Sequence, residues 1–205
     1  MDLAAEPRLQ LERRARLLAW LGNAWHLAEF GIALGAGLAA GSVALVGFGG
    51  DSLVEVLSAS VIVWLFSGGR AASADAERRA QTLIALSYFV LAVYIGVAST
   101  RDLVVGQHPQ ASWIGIGLAA FTAPTMPLLA RAKRAAGRRL ASRATETEAR
   151  QNLLCAYLSV ALLAGLLLNA KLGWWWADPA AALVIGGVAA HEGVESLRGE
   201  RDDCC

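Results

Sequence analysis

Hydrophobic residues are concentrated in six stretches of about 17 to 24 residues, and the charged residues lie mostly between them. The stretches run from Leu17 to Ala40, Val43 to Phe66, Gln81 to Thr100, Ser112 to Ala130, Asn152 to Asn169 and Trp174 to Ala190. At about 1.5 Å per residue, a helix of this length crosses the roughly 30 Å of hydrocarbon in a bilayer. The pattern predicts an all-α, polytopic membrane protein with six transmembrane helices.

The basic residues indicate how these spans are oriented. Of the 18 lysines and arginines, all but Arg101 and Lys171 lie before the first span, after the sixth, or in the second-to-third and fourth-to-fifth connections. Because basic residues are retained on the cytoplasmic side, this asymmetry predicts that both termini are cytoplasmic. We therefore expect a cytoplasmic N-terminal segment (residues 1–16), a transmembrane domain (17–192) and a short cytoplasmic tail (193–205), with no C-terminal cytoplasmic domain.

The composition supports an integral membrane protein of the inner membrane. The chain is 56% hydrophobic and 17% charged, with a mean hydropathy of +0.48, values outside the range of ordinary soluble domains. A net charge of +1 gives no reason to expect nucleic acid as a partner. The three cysteines, Cys155, Cys204 and Cys205, do not have the spacing of a disulfide framework.

The second stretch contains two carboxylates, Asp51 and Glu55, in a segment otherwise apolar enough to span a bilayer. Positions i and i+4 share one face of a helix, so both acids point the same way. An ionisable group at membrane depth is costly, and it usually marks an ion path, a proton relay or a counter-ion. A cation site is the leading hypothesis for this pair. The alternative is a pair of protonated acids that hydrogen-bond between helices.

Two other spans carry polar residues at a similar depth. Glu29 in the first span and Glu55 each lie roughly 18 Å from the outer end of their helix, and Cys155 in the fifth lies roughly 21 Å from its outer end. Gln151 precedes Cys155 by four residues and shares its face. A thiolate beside carboxylates suits zinc and tolerates iron, manganese, cobalt or cadmium.

Simpler explanations exist for three of these polar positions. A cysteine in an apolar span often serves only as a small packing residue. Glu29 could form an interhelical hydrogen bond without binding an ion. His26 lies one turn from Glu29, and the sequence leaves open whether it is a packing or interfacial histidine or a secondary group near an ion site.

Two segments resemble the cation diffusion facilitator family. The run GSVALVGFGGDSLVEV (residues 41–56) is similar to the second helix of that family, where a Gly-Ser turn precedes an acid-x-x-x-acid pair. The run AYLSVALLAGLLLNAKLGWWWADPAAALVIGG (residues 156–187) is similar to its fifth and sixth helices, with Asp178-Pro179 at the start of the sixth. The resemblance covers nearly the whole chain as six spans.

The resemblance implies a particular set of metal ligands. In the family, the pair on helix two and a His/Asp-x-x-x-Asp pair on helix five bind zinc or a similar ion, which is exchanged for protons. These positions correspond here to Asp51 and Glu55 on helix two and to Gln151 and Cys155 on helix five. Neither helix-five residue is the usual acid or histidine, and Glu29 is a candidate replacement for the missing charge.

The sequence thus supports two hypotheses of function. The first is a proton-coupled divalent metal transporter that works by alternating access as a homodimer in the lipid bilayer. The second is a membrane protein that retains the fold without transporting, and binds metal or serves as a structural partner. We expect no enzymatic activity and no bound cofactor other than the metal, because no nucleophile and base lie at matching depth.

Overall fold

The computed structural model describes residues 8–66, 74–140 and 143–202, which form six α-helices and no β-strand. The helices are α1 (Arg8–Ala40), α2 (Val43–Phe66), α3 (Ala74–Val105), α4 (Trp113–Leu140), α5 (Arg143–Leu172) and α6 (Ala177–Asp202). Each predicted hydrophobic stretch corresponds to one helix, so the all-α prediction is confirmed. Cys204 and Cys205 lie outside the described residues, as do residues 1–7 of the predicted N-terminal segment.

Three helices of the described part of the chain are long and apolar enough to cross a membrane. Their spans are Thr82–Val105, Trp113–Arg139 and Ala149–Leu172, in α3, α4 and α5. The outward faces of these helices carry large exposed hydrophobic side chains, such as Val93 and Val97 on α3 and Val160 on α5. Such faces suit contact with lipid. The protein is therefore a membrane protein. That all six helices span the bilayer, and that both termini are cytoplasmic, remain predictions.

The connections α1–α2 and α5–α6 are tight turns built on glycine. Gly41 and Gly173 have φ angles of 65° and 66°, a left-handed conformation that glycine adopts without steric cost. The turn at Gly41 is closed by a hydrogen bond from the Ser42 amide to the Gly37 carbonyl, at 2.9 Å. These turns return the chain directly, so α1 with α2 and α5 with α6 form two antiparallel hairpins.

A carboxylate from α6 joins the two hairpins at the start of α2. Asp178 is 1% exposed, and its Oδ1 accepts a hydrogen bond of 2.5 Å from the Ser42 hydroxyl. Its Oδ2 accepts a hydrogen bond from the Ala44 amide at 3.3 Å, and Ser42 Oγ accepts one from the Leu45 amide at 3.1 Å. Two side chains thus satisfy amide groups that the first turn of a helix leaves unpaired.

Helix α2 packs against α1, α3, α5 and α6, and it brings its acids into the interior. The close approach of α1 and α2 depends on glycine, since a Cβ atom on Gly37 would lie 2.8 Å from Val46 Cγ2. Phe48 of α2 packs in the apolar core with Ile95 of α3 and Ile185 of α6, and all three are 0% exposed. This packing fixes which face of α2 points toward α1 and α5.

Candidate metal site

Polar side chains from four helices meet in the interior of the helix bundle. Those of α2 lie one to two helical turns further along the chain than Phe48, which belongs to the apolar core. Each of them is at most 8% exposed. They are His26 and Glu29 of α1, Asp51, Ser52 and Glu55 of α2, Thr122 of α4, and Asn152 and Cys155 of α5. Burying ionisable groups is unfavourable unless they are paired, hydrogen-bonded or bound to a cation. We call this set the polar cluster.

Glu29 is the fully buried centre of the polar cluster, with an exposure of 0%. Its Oε1 accepts a hydrogen bond of 2.6 Å from the Thr122 hydroxyl, and its Oε2 accepts one of 2.9 Å from the Ser52 hydroxyl. Hydroxyl donors from α2 and α4 therefore hold the carboxylate of α1 in a fixed orientation. Oε2 is also the oxygen nearest to His26 Nδ1, at 3.4 Å, and to Cys155 Sγ, at 3.7 Å.

His26 lies between the carboxylates of α1 and α2. Its Nδ1 is 3.4 Å from Glu29 Oε2 and 2.8 Å from Glu55 Oε2. On the other side of the ring, Nε2 lies 3.2 Å from Nδ2 of Asn152 on α5. The amide fixes the rotation of the imidazole, so that Nδ1 faces both carboxylates.

Cys155 brings a sulfur atom to the same carboxylate oxygen. Its Sγ lies 3.7 Å from Glu29 Oε2, and the thiol is 1% exposed. The nearest ligand atoms of His26, Glu29 and Cys155 all lie within 4.8 Å of one another. The thiol therefore lies beside a nitrogen atom and an oxygen atom. A cysteine that only filled space in an apolar core would not need these polar neighbours.

Two buried polar atoms of the polar cluster have no hydrogen-bond partner among the described residues. One is Oε2 of Glu55, which is close to His26 Nδ1 but is not aligned for a hydrogen bond; the other is Oδ1 of Asn152. An unsatisfied buried acceptor costs about 1 to 3 kcal/mol, and more when it is charged. Each of these oxygens has room for a further bond, from a hydrogen-bond donor or from a bound cation, and Glu55 Oε2 has His26 Nδ1 as its basic neighbour at 2.8 Å.

The remaining two candidate ligands lie at the edge of the polar cluster. Asp51 is 5% exposed and lies within electrostatic range of Glu55, His26 and Glu29. Gln151 is half-buried, and its side chain lies near that of Tyr88 on α3. Of the predicted ligands, the structure thus brings Glu29 and Cys155 together, with His26 beside them; Glu55 lies 2.8 Å from His26, and Asp51 and Gln151 lie further out.

The sequence did not distinguish His26, Ser52 and Thr122 as parts of a site. The spacing of His26 and Glu29 was a usable signal, because residues i and i+3 share a helix face and both are polar in an apolar span. Ser52 and Thr122 gave no such signal. Isolated hydroxyl residues are common in membrane helices, where they often bond to their own backbone.

A second group of possible ligands, His191, Glu192 and Glu195, lies on one face of α6 near its end. The His191 and Glu195 side chains are 68% and 64% exposed. Exposed pairs of this kind contribute little to stability and are common without a bound ion.

The chain is similar to one protein family and to two known proteins. The family model described as the cation efflux transmembrane domain matches residues 24–201. An uncharacterised transporter of Synechocystis is 30% identical over 195 residues, which cover 91% of this chain and 63% of that protein. Transmembrane protein 163 of Xenopus laevis is 23% identical over 189 residues, covering 90% of this chain and 66% of that protein. The chain spans slightly less than two thirds of the length of either relative.

Proposed function

The chain belongs to the cation efflux family, and we propose that it carries a divalent metal cation, zinc or a similar ion, across the cytoplasmic membrane. The family is one of cation transporters, which agrees with the expectation of a non-enzymatic protein. The proposal rests on the convergence of His26, Glu29 and Cys155 in one buried cluster, with Glu55 2.8 Å from His26 and Asp51 within electrostatic range.

The charges of the polar cluster favour a divalent ion as the cargo. Glu29, Asp51 and Glu55 can contribute three negative charges, and within the polar cluster His26 is the one basic side chain that faces them. A cation of charge two compensates most of this negative charge. When the metal leaves, protons are the simplest replacement, since protonated carboxylic acids can remain buried. This exchange gives a physical basis for proton coupling.

The distribution of the ligands among helices suits alternating access. Glu29 and Glu55 belong to the hairpin of α1 and α2, whereas Cys155 belongs to the hairpin of α5 and α6. The ligand set is complete only while these hairpins keep their contact. If the hairpins shifted relative to each other, the ligands would move apart and the site would open to one side of the membrane. The affinity for the ion would then fall.

We further propose that the protein works as a homodimer. Gly31 and Gly35 are exposed on α1, and a Cβ atom built on either would meet no other atom within 4 Å. A Gly-x-x-x-Gly pair on an exposed face allows two membrane helices to approach closely. Replacement of both glycines by leucine should convert a dimer to a monomer, as measured by mass in detergent. A wild-type protein that stays monomeric at high concentration would contradict the homodimer.

Reconstitution into proteoliposomes tests the transport function. Vesicles containing the purified protein, loaded with a zinc-sensitive dye, should take up zinc when their lumen is more acidic than the medium, and the lumen should become more alkaline in step with uptake. Vesicles containing the Asp51→Asn, Glu55→Gln variant are the matched control. Zinc binding without any uptake, with or without a gradient, would refute transport and favour the non-transporting alternative.

A further inference from the structure

We infer that His26 and Glu29 on α1 provide the half of the metal site that α5 lacks, so that the ion is held by one nitrogen, one sulfur and the carboxylate oxygens of Glu29 and Glu55. The inference deepens the proposed function, since it names the ligands and the class of metal. In this assignment α5 contributes only Cys155, and Gln151 is not a ligand.

The interatomic distances fit a four-coordinate ion. In a tetrahedral zinc site, bonds of about 2.0 to 2.3 Å place neighbouring ligand atoms roughly 3.3 to 3.7 Å apart. His26 Nδ1 lies 3.4 Å from Glu29 Oε2, and Glu29 Oε2 lies 3.7 Å from Cys155 Sγ. Two of the three distances among these ligand atoms therefore match neighbouring corners of a tetrahedron, and the third, between His26 and Cys155, is below 4.8 Å.

We assign Glu55 as the fourth ligand because of its contact with His26. Its Oε2 has no aligned hydrogen-bond donor among the described residues, is buried, and lies 2.8 Å from His26 Nδ1. That separation is shorter than the spacing of two ligands around zinc, so the imidazole and the carboxylate now contact each other directly. To bind a cation between them, the Glu55 side chain would have to rotate slightly. The cation would then be the partner of Glu55 Oε2, which accepts no hydrogen bond in the described part of the chain.

The neighbours of the ligands hold them in place. Ser52 and Thr122 orient the Glu29 carboxylate through hydroxyl hydrogen bonds of 2.9 and 2.6 Å. Asn152 lies 3.2 Å from Nε2 of His26, the nitrogen that would remain free when Nδ1 binds a metal. Polar contacts of this kind around ligands set their orientation and are typical of protein metal sites.

The donor set predicts the class of metal. Imidazole and thiolate suit zinc, cadmium and cobalt, whereas magnesium, calcium and manganese favour oxygen ligands. A site made only of the carboxylates of α2 would discriminate weakly between these two groups of metals. The nitrogen of His26 and the sulfur of Cys155 should therefore exclude the hard cations. Gln151, which lies near Tyr88 and is not a ligand in this assignment, should have no influence on selectivity.

X-ray absorption spectroscopy of zinc bound to the detergent-solubilised protein tests these ligands directly. The chain has three histidines and three cysteines. The variant His108→Ala, His191→Ala, Cys204→Ser, Cys205→Ser leaves His26 and Cys155 as the remaining residues of each type, provided that the purification tag contains neither. The zinc spectrum of this variant should show one imidazole and one sulfur. Adding Cys155→Ser should remove the sulfur alone, and adding His26→Gln should remove the imidazole alone.

The outcomes separate this inference from the proposed function. A zinc spectrum with oxygen ligands only, or one unchanged by His26→Gln, would overturn the inference even if the protein transports zinc. The expected spectrum in a protein that fails to transport would support the inference while refuting the transporter. If His26→Gln does not fold, the spectrum of the variant that retains His26 still decides between the two assignments. The Gln151→Ala variant is the matched control, and its spectrum should equal that of its parent.

Discussion

The Sγ atom of Cys155 lies 3.7 Å from Oε2 of Glu29, although 126 residues separate them along the chain. Both side chains are at most 1% exposed, so α1 and α5 meet here away from solvent and lipid. A carboxylate would ordinarily be a poor neighbour for an apolar packing residue at this depth. The contact therefore favours a shared role of the two residues as ligands over a packing role for the thiol.

Replacing Cys155 by serine should separate soft from hard metals. The change keeps the approximate size of the side chain and removes the soft donor, so we expect the affinity for zinc and cadmium to fall by about tenfold or more. The affinity for manganese should change by less than about threefold, since its oxygen ligands remain. Competition binding in detergent measures both effects. Equal losses for zinc and manganese would contradict a ligand role for the thiol.

The Glu29→Gln variant should lose zinc binding by about 10- to 100-fold, because it removes a charge that the buried ion needs. The amide keeps the shape of the side chain and can still accept the hydrogen bond from Thr122. The matched variant Thr122→Val leaves the charge and removes only the orienting hydroxyl, so its loss should be smaller. If Glu29→Gln transports zinc like the wild type, Glu29 is a packing residue.

The helices were predictable from the sequence because each span is a long apolar run with charged ends. The Gly-Ser turn at Gly41 also predicted where α1 stops and α2 begins, and the structure has those bounds. The contact of Asp178 with Ser42 was not predictable from spacing alone. It joins two hairpins whose relative placement depends on the packing of side chains throughout the bundle.

The candidate site was only partly predictable for a similar reason. The i, i+4 spacing put Asp51 and Glu55 on one face, and their depth matched that of Glu29 and Cys155. Depth fixes one coordinate of a side chain in a helix bundle, but it does not fix which helices are neighbours. The contact of α1 with α5 placed His26 and Glu29 beside Cys155 and left Gln151 facing Tyr88.

Loss of the Asp178 carboxylate should destabilise the protein. Asp178 accepts hydrogen bonds from Ser42 and the Ala44 amide at the start of α2, and loss of such a cap costs about 1 to 2 kcal/mol. We expect Asp178→Ala to lower the midpoint of thermal unfolding in detergent by several degrees. The control Glu195→Ala removes a carboxylate that is 64% exposed and should leave the midpoint unchanged. Equal midpoints for both variants would show that the cap is not stabilising.

The orientation of the spans is testable without a structure. The basic residues predict that a reporter fused after Cys205 is cytoplasmic. A cysteine introduced at His108, in the connection between α3 and α4, should react with a membrane-impermeant reagent added outside intact cells. The native cysteines are first replaced by serine so that only the new thiol reacts. A reporter active only outside the cytoplasm would refute the six-span topology.

The acids of α2 provide the most direct test of the site, because they decide its charge. A divalent ion at membrane depth needs about two compensating charges, and Asp51 and Glu55 are two of the three buried carboxylates of the polar cluster that can supply them. Asp51→Asn and Glu55→Gln each keep the shape and remove one charge, so each should abolish zinc uptake while the protein remains folded and inserted. The control Glu195→Gln removes an exposed acid from α6 and should transport normally. Uptake that survives in the Asp51→Asn, Glu55→Gln double variant would mean that the ion crosses elsewhere, since a single buried carboxylate from Glu29 would then face it alone.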